Sequence, residues 1–408
     1  MQDEGGRLMT SRARPGQRPV TASRDQLTER VSSLVEPLRS RLLELALRGL
    51  PAMYRGPDGL HAHTLRGQIE FGEWRLHSEG ASSRYSAIVA LGASLRPVEE
   101  QRLLFAGRDS AQFVEERLRW VPLQEPGAIA LSAWAANELR VPSAIWFTEH
   151  LLSSTASNAP TTVETAWSLT ALVAANELSD YAGPAGDEAQ RLMAAQSDCG
   201  LFPHHIDVSR PVRGSLSCFA DQVYPIQALA RYATFAGDQR ALAAANKCAA
   251  RICHLQGEGG QWWWHYDTRV GTVVERYPVY SVHQHAMAPM ALFELARAGG
   301  EDHTAAIVRG MSWVSLAPEV ETSLVMDDLD LVWRSVYRRE PVKKVVRAVR
   351  SLLALSRTGI TLPWLDRLCP PSQIDHECRP YELGWLLYAW TVPTQPWSAD
   401  HEGGAHGE

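Results

Sequence analysis

The sequence predicts an all-α protein folded as a single (α/α)6 toroid, and three observations carry that prediction. Apolar residues recur at helical spacing along the body of the chain, while β-branched runs of period two are scarce. Six helical starts share one style, in which a polar and aromatic loop feeds a helix striped with Ala and Leu. Most of these are followed by a second, more charged helix. Small apolar helices pack closely on both sides and polar ones cover the outside, which describes an inner ring and an outer ring.

In chain order the inner starts are SSRYSAIVALGASL from Ser82, EPGAIALSAWAANEL from Glu125, TTVETAWSLTALVAANEL from Thr161, CFADQVYPIQALARYATFAG from Cys218, YSVHQHAMAPMALFELARAGG from Tyr280 and CRPYELGWLLYAW from Cys378. The segment DQRALAAANKCAARICHLQ after Asp238 typifies the outer set. Spacings between inner starts run from roughly 35 to 100 residues, whereas a helical solenoid calls for a tighter period. An irregular helical bundle is the other arrangement compatible with the pattern. Residues 1–25 and the tail from Ser398 have the Gly, Ser, Pro and charge bias of disordered ends, leaving 26–397 for the toroid.

Composition excludes several classes. With 408 residues, 45% hydrophobic and 21% charged, the chain can bury a large core. A net charge of -6 argues against non-specific nucleic-acid binding, which needs an excess of Lys and Arg. The six cysteines include no CxxC pair and are too sparse for a disulfide scaffold, so reduced thiols are expected. The N-terminus has no apolar run that could serve as a signal segment, which predicts cytoplasmic residence, and no stretch is apolar enough to span a bilayer.

The densest aromatic segment is LQGEGGQWWWHYD, Leu255 to Asp267, in the loop between an outer helix and the inner helix that follows it. Within it Gln256, Gly260 and Trp262 resemble the QW motif of the terpenoid cyclases, and Gln196, Gly200 and Phe202 echo it one hairpin earlier. The resemblance covers roughly residues 80–390 and implies that these glutamines and aromatics stabilise the toroid. Trp263, Trp264, His265, Tyr266 and Asp267 are then left for a site. The lanthionine cyclases share the toroid but use WCYG and CHG motifs for zinc, and both are absent here.

In such a toroid the site is expected in the funnel at the N-terminal ends of the inner helices, where the helix dipoles favour anions. Trp167, Asp221, Tyr224, Tyr280, His283, Arg379, Glu382 and Trp385 fall there, with Arg84, Tyr85, Glu125, Glu164 and Tyr381 as neighbours. For Glu164 and Asp221 helix capping is the competing role. His283 and His285 are two apart and point about 200 degrees from each other on a helix, so they make no helical metal site. His204 and His205 have no supporting ligand spacing, and no metal is expected.

Asp327, Asp328 and Asp330 form an acidic group in VMDDLDLVW. Like charges so close raise one another's pKa, and the class II terpenoid cyclases use such acids, in a DxDD order, to protonate an alkene or epoxide. The alternative is acids opening a helix that Arg334, Arg338 and Arg339 close. Lys343, Lys344, Arg347 and Arg350 alternate with Val345, Val346 and Val349 as a basic amphipathic stretch. Within 334–355 it is suited to peripheral membrane contact, to holding a diphosphate, or to an ordinary solvated face.

Three functions follow as expectations. The first is an isoprenoid-acting, cyclase-like enzyme, with Asp327, Asp328, Asp330, Asp267 and His283 catalytic. Aromatic faces would stabilise its carbocations. No cofactor is called for, with Mg2+ entering only for a diphosphate substrate. The second is a carbohydrate-active (α/α)6 enzyme (glycosidase, uronate lyase or hydrolase, or sugar epimerase), for which a funnel rich in His, Gln, Arg and Asp is better suited than for a hydrocarbon. The third is a non-catalytic binding protein on this fold. Each takes a small-molecule ligand and none takes nucleic acid.

Overall fold

The computed structural model describes residues 24–56, 59–155, 160–206, 214–355 and 364–391. The remaining residues, including nearly all of both expected disordered ends, lie outside the described residues. Helix α1 (Arg24–Met53) starts two residues before the boundary drawn from composition and bends at Val35, just before Pro37. Then follow α2 (Ser83–Ala93), α3 (Val98–Leu104), α4 (Ser110–Glu116), α5 (Pro126–Glu138), α6 (Ala144–Thr155), α7 (Thr162–Ala175) and α8 (Ala182–Ala195). The second half holds α9 (Ala220–Ala236), α10 (Gln239–His254), α11 (Ala288–Arg297), α12 (Thr304–Ser315), α13 (Val342–Leu355), α14 (Trp364–Leu368) and α15 (Pro380–Trp390).

The fold is an (α/α)6 toroid. Helices α2, α5, α7, α9, α11 and α15 form the inner ring, each packed on the next, and α15 closes on α2. All six correspond to the six sequence starts. The two rings differ as their compositions dictate. Every residue of α5 from Gly127 to Asn137 is buried, whereas outer α10 buries one stripe of Ala241, Ala244, Ala245, Cys248, Ala249 and Ile252. The ring closes at two glycines. A Cβ on Gly92 would lie 2.1 Å from the carbonyl oxygen of Gly384, and one on Gly384 would lie 3.0 Å from the Val89 backbone.

Two hairpins of the ring interlock in the same way. Gln196 Nε2 donates to the Gly200 carbonyl at 2.9 Å and to that of Ala244 in α10 at 2.8 Å. Gln256 Nε2 repeats this with Gly260 and with Ala306 in α12, both at 2.9 Å. The backbone N–H of the aromatic that follows is held by a glutamine on the next inner helix: Phe202 by Gln222 at 2.8 Å and Trp262 by Gln284 at 3.1 Å.

Residues 283–287 form one π-helical turn before α11. Pro289 has no N–H to donate to the His285 carbonyl, and Trp390 Nε1 donates to it instead at 2.6 Å. Between outer and inner helices the chain makes small sheets that the helical pattern misses. The hairpin Thr64–Glu70 and Glu73–Glu79, turned at Phe71 and Gly72 with φ of 52° and 86°, pairs with Glu377–Cys378. Leu216–Cys218, His265–Asp267 and Thr272–Glu275 make a second sheet. Val279–Tyr280, Ser335–Tyr337 and Gln373–Asp375 make a third.

All six cysteines are free thiols. Among the described residues no helix is long and apolar enough to cross a membrane. Replacing Gly92 with Val should lower unfolding stability by about 3 kcal/mol, because the ring cannot open locally to take two methyl groups. Denaturant midpoints of the two proteins check it, and an unchanged midpoint would show that the α2 and α15 contact is slack.

Candidate functional site

The first turns of the six inner helices face one end of the ring, and the small sheets surround that end as a rim. On one wall is Asp221, in the first turn of α9 and fully buried. Its Oδ2 accepts the Cys218 N–H at 2.8 Å, and both carboxylate oxygens lie 3.2 Å from Nδ1 of half-exposed His204. The hydrogen bond to Asp221 raises the His204 pKa against burial. His265 stands beside this pair, since it is the sheet partner of Cys218, whose N–H donates to Asp221.

A second wall is built on α15, which follows α9 in the ring with α11 between them. Glu382, in its first turn, accepts the Arg379 N–H at 3.2 Å through Oε2. Its Oε1 lies 3.4 Å from Arg334 Nε but off hydrogen-bond geometry, so both atoms lack a hydrogen bond among the described residues. Burial pushes the Glu382 carboxyl up to about 7, against the pull of the Arg334 and Arg379 charges. Arg379 donates to Tyr85 Oη and to Glu377, each at 3.2 Å. Arg334 sits 3.6 Å from Asp375, 3.7 Å from Glu377 and 4.8 Å over the Tyr280 ring.

Aromatic rings line the space between. Tyr85 and Tyr381 are 4.7 Å apart, and Trp167 meets Tyr224 edge-on at 5.0 Å. Trp385 Nε1 donates to Tyr224 Oη at 2.9 Å and its ring lies on Trp134. Deeper in the ring Arg231, bonded to Glu138 at 2.8 Å and Tyr388 at 3.1 Å, fills the interior below these rings. Four buried donors around the funnel have no hydrogen-bond partner among the described residues: Nε of Arg334, Arg347 and Arg379, and Nε1 of Trp167. Each is a hydrogen bond left for solvent or a ligand to make.

The structure brings Trp167, Asp221, Tyr224, Tyr280, Arg379, Glu382 and Trp385 to this end, with Trp264 and His265 on the rim. Glu164 is there as well, but it caps α7 through Thr161. The remaining sequence candidates lie elsewhere. Asp327, Asp328 and Asp330 are on the outside of the ring, where Asp327 pairs with Arg41 and Asp330 with Arg48 of α1 at 2.7 Å. Arg41 lowers the Asp327 pKa, the reverse of what mutual repulsion was expected to do. Asp267 is locked to Arg269 at 2.9 and 2.6 Å in the turn to Gly271. Trp263 packs on Tyr277 and under Arg276, and Tyr266 is in the core. His283 is buried between Phe219 and Tyr280, and burial holds it neutral with a pKa lowered to about 3.

The basic stretch is also different from its sequence appearance. Arg338 is buried against Glu275 at 2.7 Å and Arg350 bonds Asp366 at 2.8 Å, so these two cations face inward, while Arg339 and Lys344 are exposed. Among the described residues no group of three or more His, Cys, Asp or Glu could hold a metal ion. Sequence reasoning missed Arg334, Glu377 and Arg347 as funnel residues. They come from the long excursion between α12 and α15, whose path no local signal sets.

No protein-family model matches the chain, and no curated protein matches it by sequence. The fold is similar to that of unsaturated glucuronyl hydrolase from Bacillus sp. GL1, with TM-score 0.54, 14% identity and 86% and 95% of the two chains covered. It is similar to a possible member of the GH105 family from Salmonella enterica, with TM-score 0.52, 10% identity and 94% and 98% covered. An unsaturated glucuronyl hydrolase mutant from Streptococcus agalactiae gives TM-score 0.52, 10% identity and 92% and 93% covered. These likenesses concern the fold. The cyclase expectation is corrected on two counts: Asp327 and Asp330 of its acidic trio are ion-paired outside the ring, and the similar toroids are glucuronyl hydrolases.

Burial holds His61, His283 and His285 neutral, each with its pKa lowered to about 3 from 6.5. A histidine whose folded pKa is depressed binds its proton preferentially in the unfolded chain, so stability falls as pH drops below 6.5 and continues to fall toward 3. Each contributes about 1.4 kcal/mol per pH unit over that range, and Glu382, raised in the fold, opposes them by one proton. Denaturant unfolding at pH 7 and 5.5 should show a net loss of about 2 kcal/mol. Equal stability at the two pH values would show that water reaches these rings.

Proposed function

We propose that the protein is a carbohydrate-active enzyme that binds a sugar unit in the funnel and acts on it by proton transfer. The observation that carries this reading is the pairing, in one aromatic-walled funnel, of the buried Asp221 and half-exposed His204 with Glu382, whose pKa is raised to about 7. Tyrosine and tryptophan faces suit the apolar faces of a pyranose, and the unmatched donors of Arg334, Arg379 and Trp167 suit its oxygens. A hydrocarbon would leave those donors buried and unpaired. The glucuronyl hydrolases whose fold this chain resembles act on sugars, which supports the reading as analogy of fold.

The roles follow from the geometry. Asp221 accepts from Nδ1–H of His204, which fixes the ring and leaves Nε2 as the atom that takes a proton from water or from the sugar. Glu382, neutral below about pH 7, is the acid, and Arg334 and Arg379 stabilise its carboxylate once the proton has left. In a hydrolysis, water loses its proton to His204, its oxygen bonds to the sugar carbon, and the departing oxygen gains the proton from the acid.

A panel of neutral and acidic oligosaccharides, assayed for turnover and for thermal stabilisation, tests this. His204→Ala and Asp221→Asn should each lower kcat by about 10²- to 10⁴-fold, the usual worth of a positioned acid or base. Because Glu382 acts in its protonated form, activity should fall as pH rises through about 7, and Glu382→Gln should remove that limb along with most turnover. Full activity in His204→Ala would sink the proton-transfer assignment. Stabilisation by sugars without turnover in the wild type would replace it with a binding protein.

A further inference from the structure

We propose that Arg347, carried into the funnel by α13, determines specificity by receiving an anionic group of the substrate. The inference rests on the sugar reading above and names its substrate class as an acidic sugar. Four arginines border the funnel. Arg84 has Glu125 at 3.5 Å, Arg334 has Asp375, Glu377 and Glu382, and Arg379 has Glu377. Their charges are already matched. Arg347 has no carboxylate within 4.0 Å among the described residues, its Nε makes no hydrogen bond there, and its guanidinium lies 4.1 Å over the ring of Trp264.

The other face of Trp264 is taken by His265, stacked at 3.7 Å. Two groups so close to one ring must occupy opposite faces, so Trp264 has no free face for a sugar and serves as the plate against which Arg347 is flattened. A cation held on an indole keeps its in-plane N–H groups free, and those are the groups that grip a carboxylate in a forked pair. Burial, and after it the Arg347 charge, lower the pKa of His265 to about 4, and His265 pairs across the sheet with Cys218, whose N–H donates to Asp221, so Arg347 and the proton-transfer pair border one space.

The helix that carries it is fixed by buried charge. Arg338, just before α13, bonds Glu275 at 2.7 Å and pairs with Asp366, while Arg350, one turn beyond Arg347, lies 3.4 Å from Glu275 and 2.8 Å from Asp366. Two cations bracketing two acids hold the register of α13, and hence the position of Arg347. A buried ion cluster so placed is better suited to orientation than to net stability.

Calorimetric titration of the full chain with a glucuronate-terminated disaccharide and its glucose-terminated counterpart tests the proposal. The wild type should prefer the acidic sugar. Arg347→Met, which keeps an apolar stem on Trp264, should bind it about 10- to 100-fold more weakly, the worth of a charged hydrogen-bonded pair, while affinity for the neutral sugar stays the same. In turnover the loss should fall on KM and spare kcat. An unchanged preference in Arg347→Met, or a wild type without preference, overturns the role of Arg347 and leaves the sugar reading standing. A wild type that binds neither sugar overturns both. Should Arg347→Met fail to fold, Arg347→Gln decides: preference lost with a normal unfolding midpoint supports the role of Arg347, and preference retained overturns it.

Discussion

The close approach of six nearly featureless helices is what the remainder of the molecule depends on. An inner helix has neighbours on both sides and an outer helix behind, so side chains on nearly every face must be small or apolar. Helix α5 meets this with its unbroken buried run from Gly127 to Asn137, and α2 and α15 meet it with glycine against glycine. Packing of this kind brings the six N-termini to one end, each with unpaired N–H groups and the positive end of a dipole. Glu164 and Glu382 answer those termini as caps, yet Glu382 is buried so deeply that it retains its proton near neutrality.

The rim turns that frame into a shaped opening. Its sheets are too short to stand alone and depend on the ring beneath them. They place Tyr280, Arg334 and Glu377 above the helix ends, while α13 folds back over the edge. The two walls differ in electrical character. On the α9 wall a buried carboxylate steadies an exposed imidazole, and on the α15 wall guanidinium groups surround a carboxyl. Groups whose environments shift their pKa values in the direction of sharing protons at neutral pH are a common basis for acid and base chemistry.

The ring was legible in the sequence because each inner helix announces itself with an Ala and Leu stripe behind a polar, aromatic loop. The positions Asp221, Tyr224, Arg379, Glu382 and Trp385 followed, since a residue in the first turn of such a helix has one place to go. The small strands were not legible, as segments of two to seven residues carry too little periodicity to stand out. The acidic trio misled for a related reason. Asp327, Asp328 and Asp330 repel one another in sequence, but Arg41 and Arg48 arrive from some 280 residues away to pair with Asp327 and Asp330. Within the 334–355 stretch, too, no local signal shows that Glu275, 63 residues from Arg338, turns that arginine inward.

The meeting of α2 with α15 also bears on how the protein is made. A ribosome delivers the first inner helix long before the last, and about 290 residues separate the two glycines that must touch. Until Pro380–Trp390 emerges, the alanine flank of α2 has no lasting partner, and the indole that occupies the His285 carbonyl has not been synthesised. The nascent chain is therefore an open arc with two apolar edges, a species prone to pairing with a second arc. Completion of the last helix converts it into a closed molecule in a single late event.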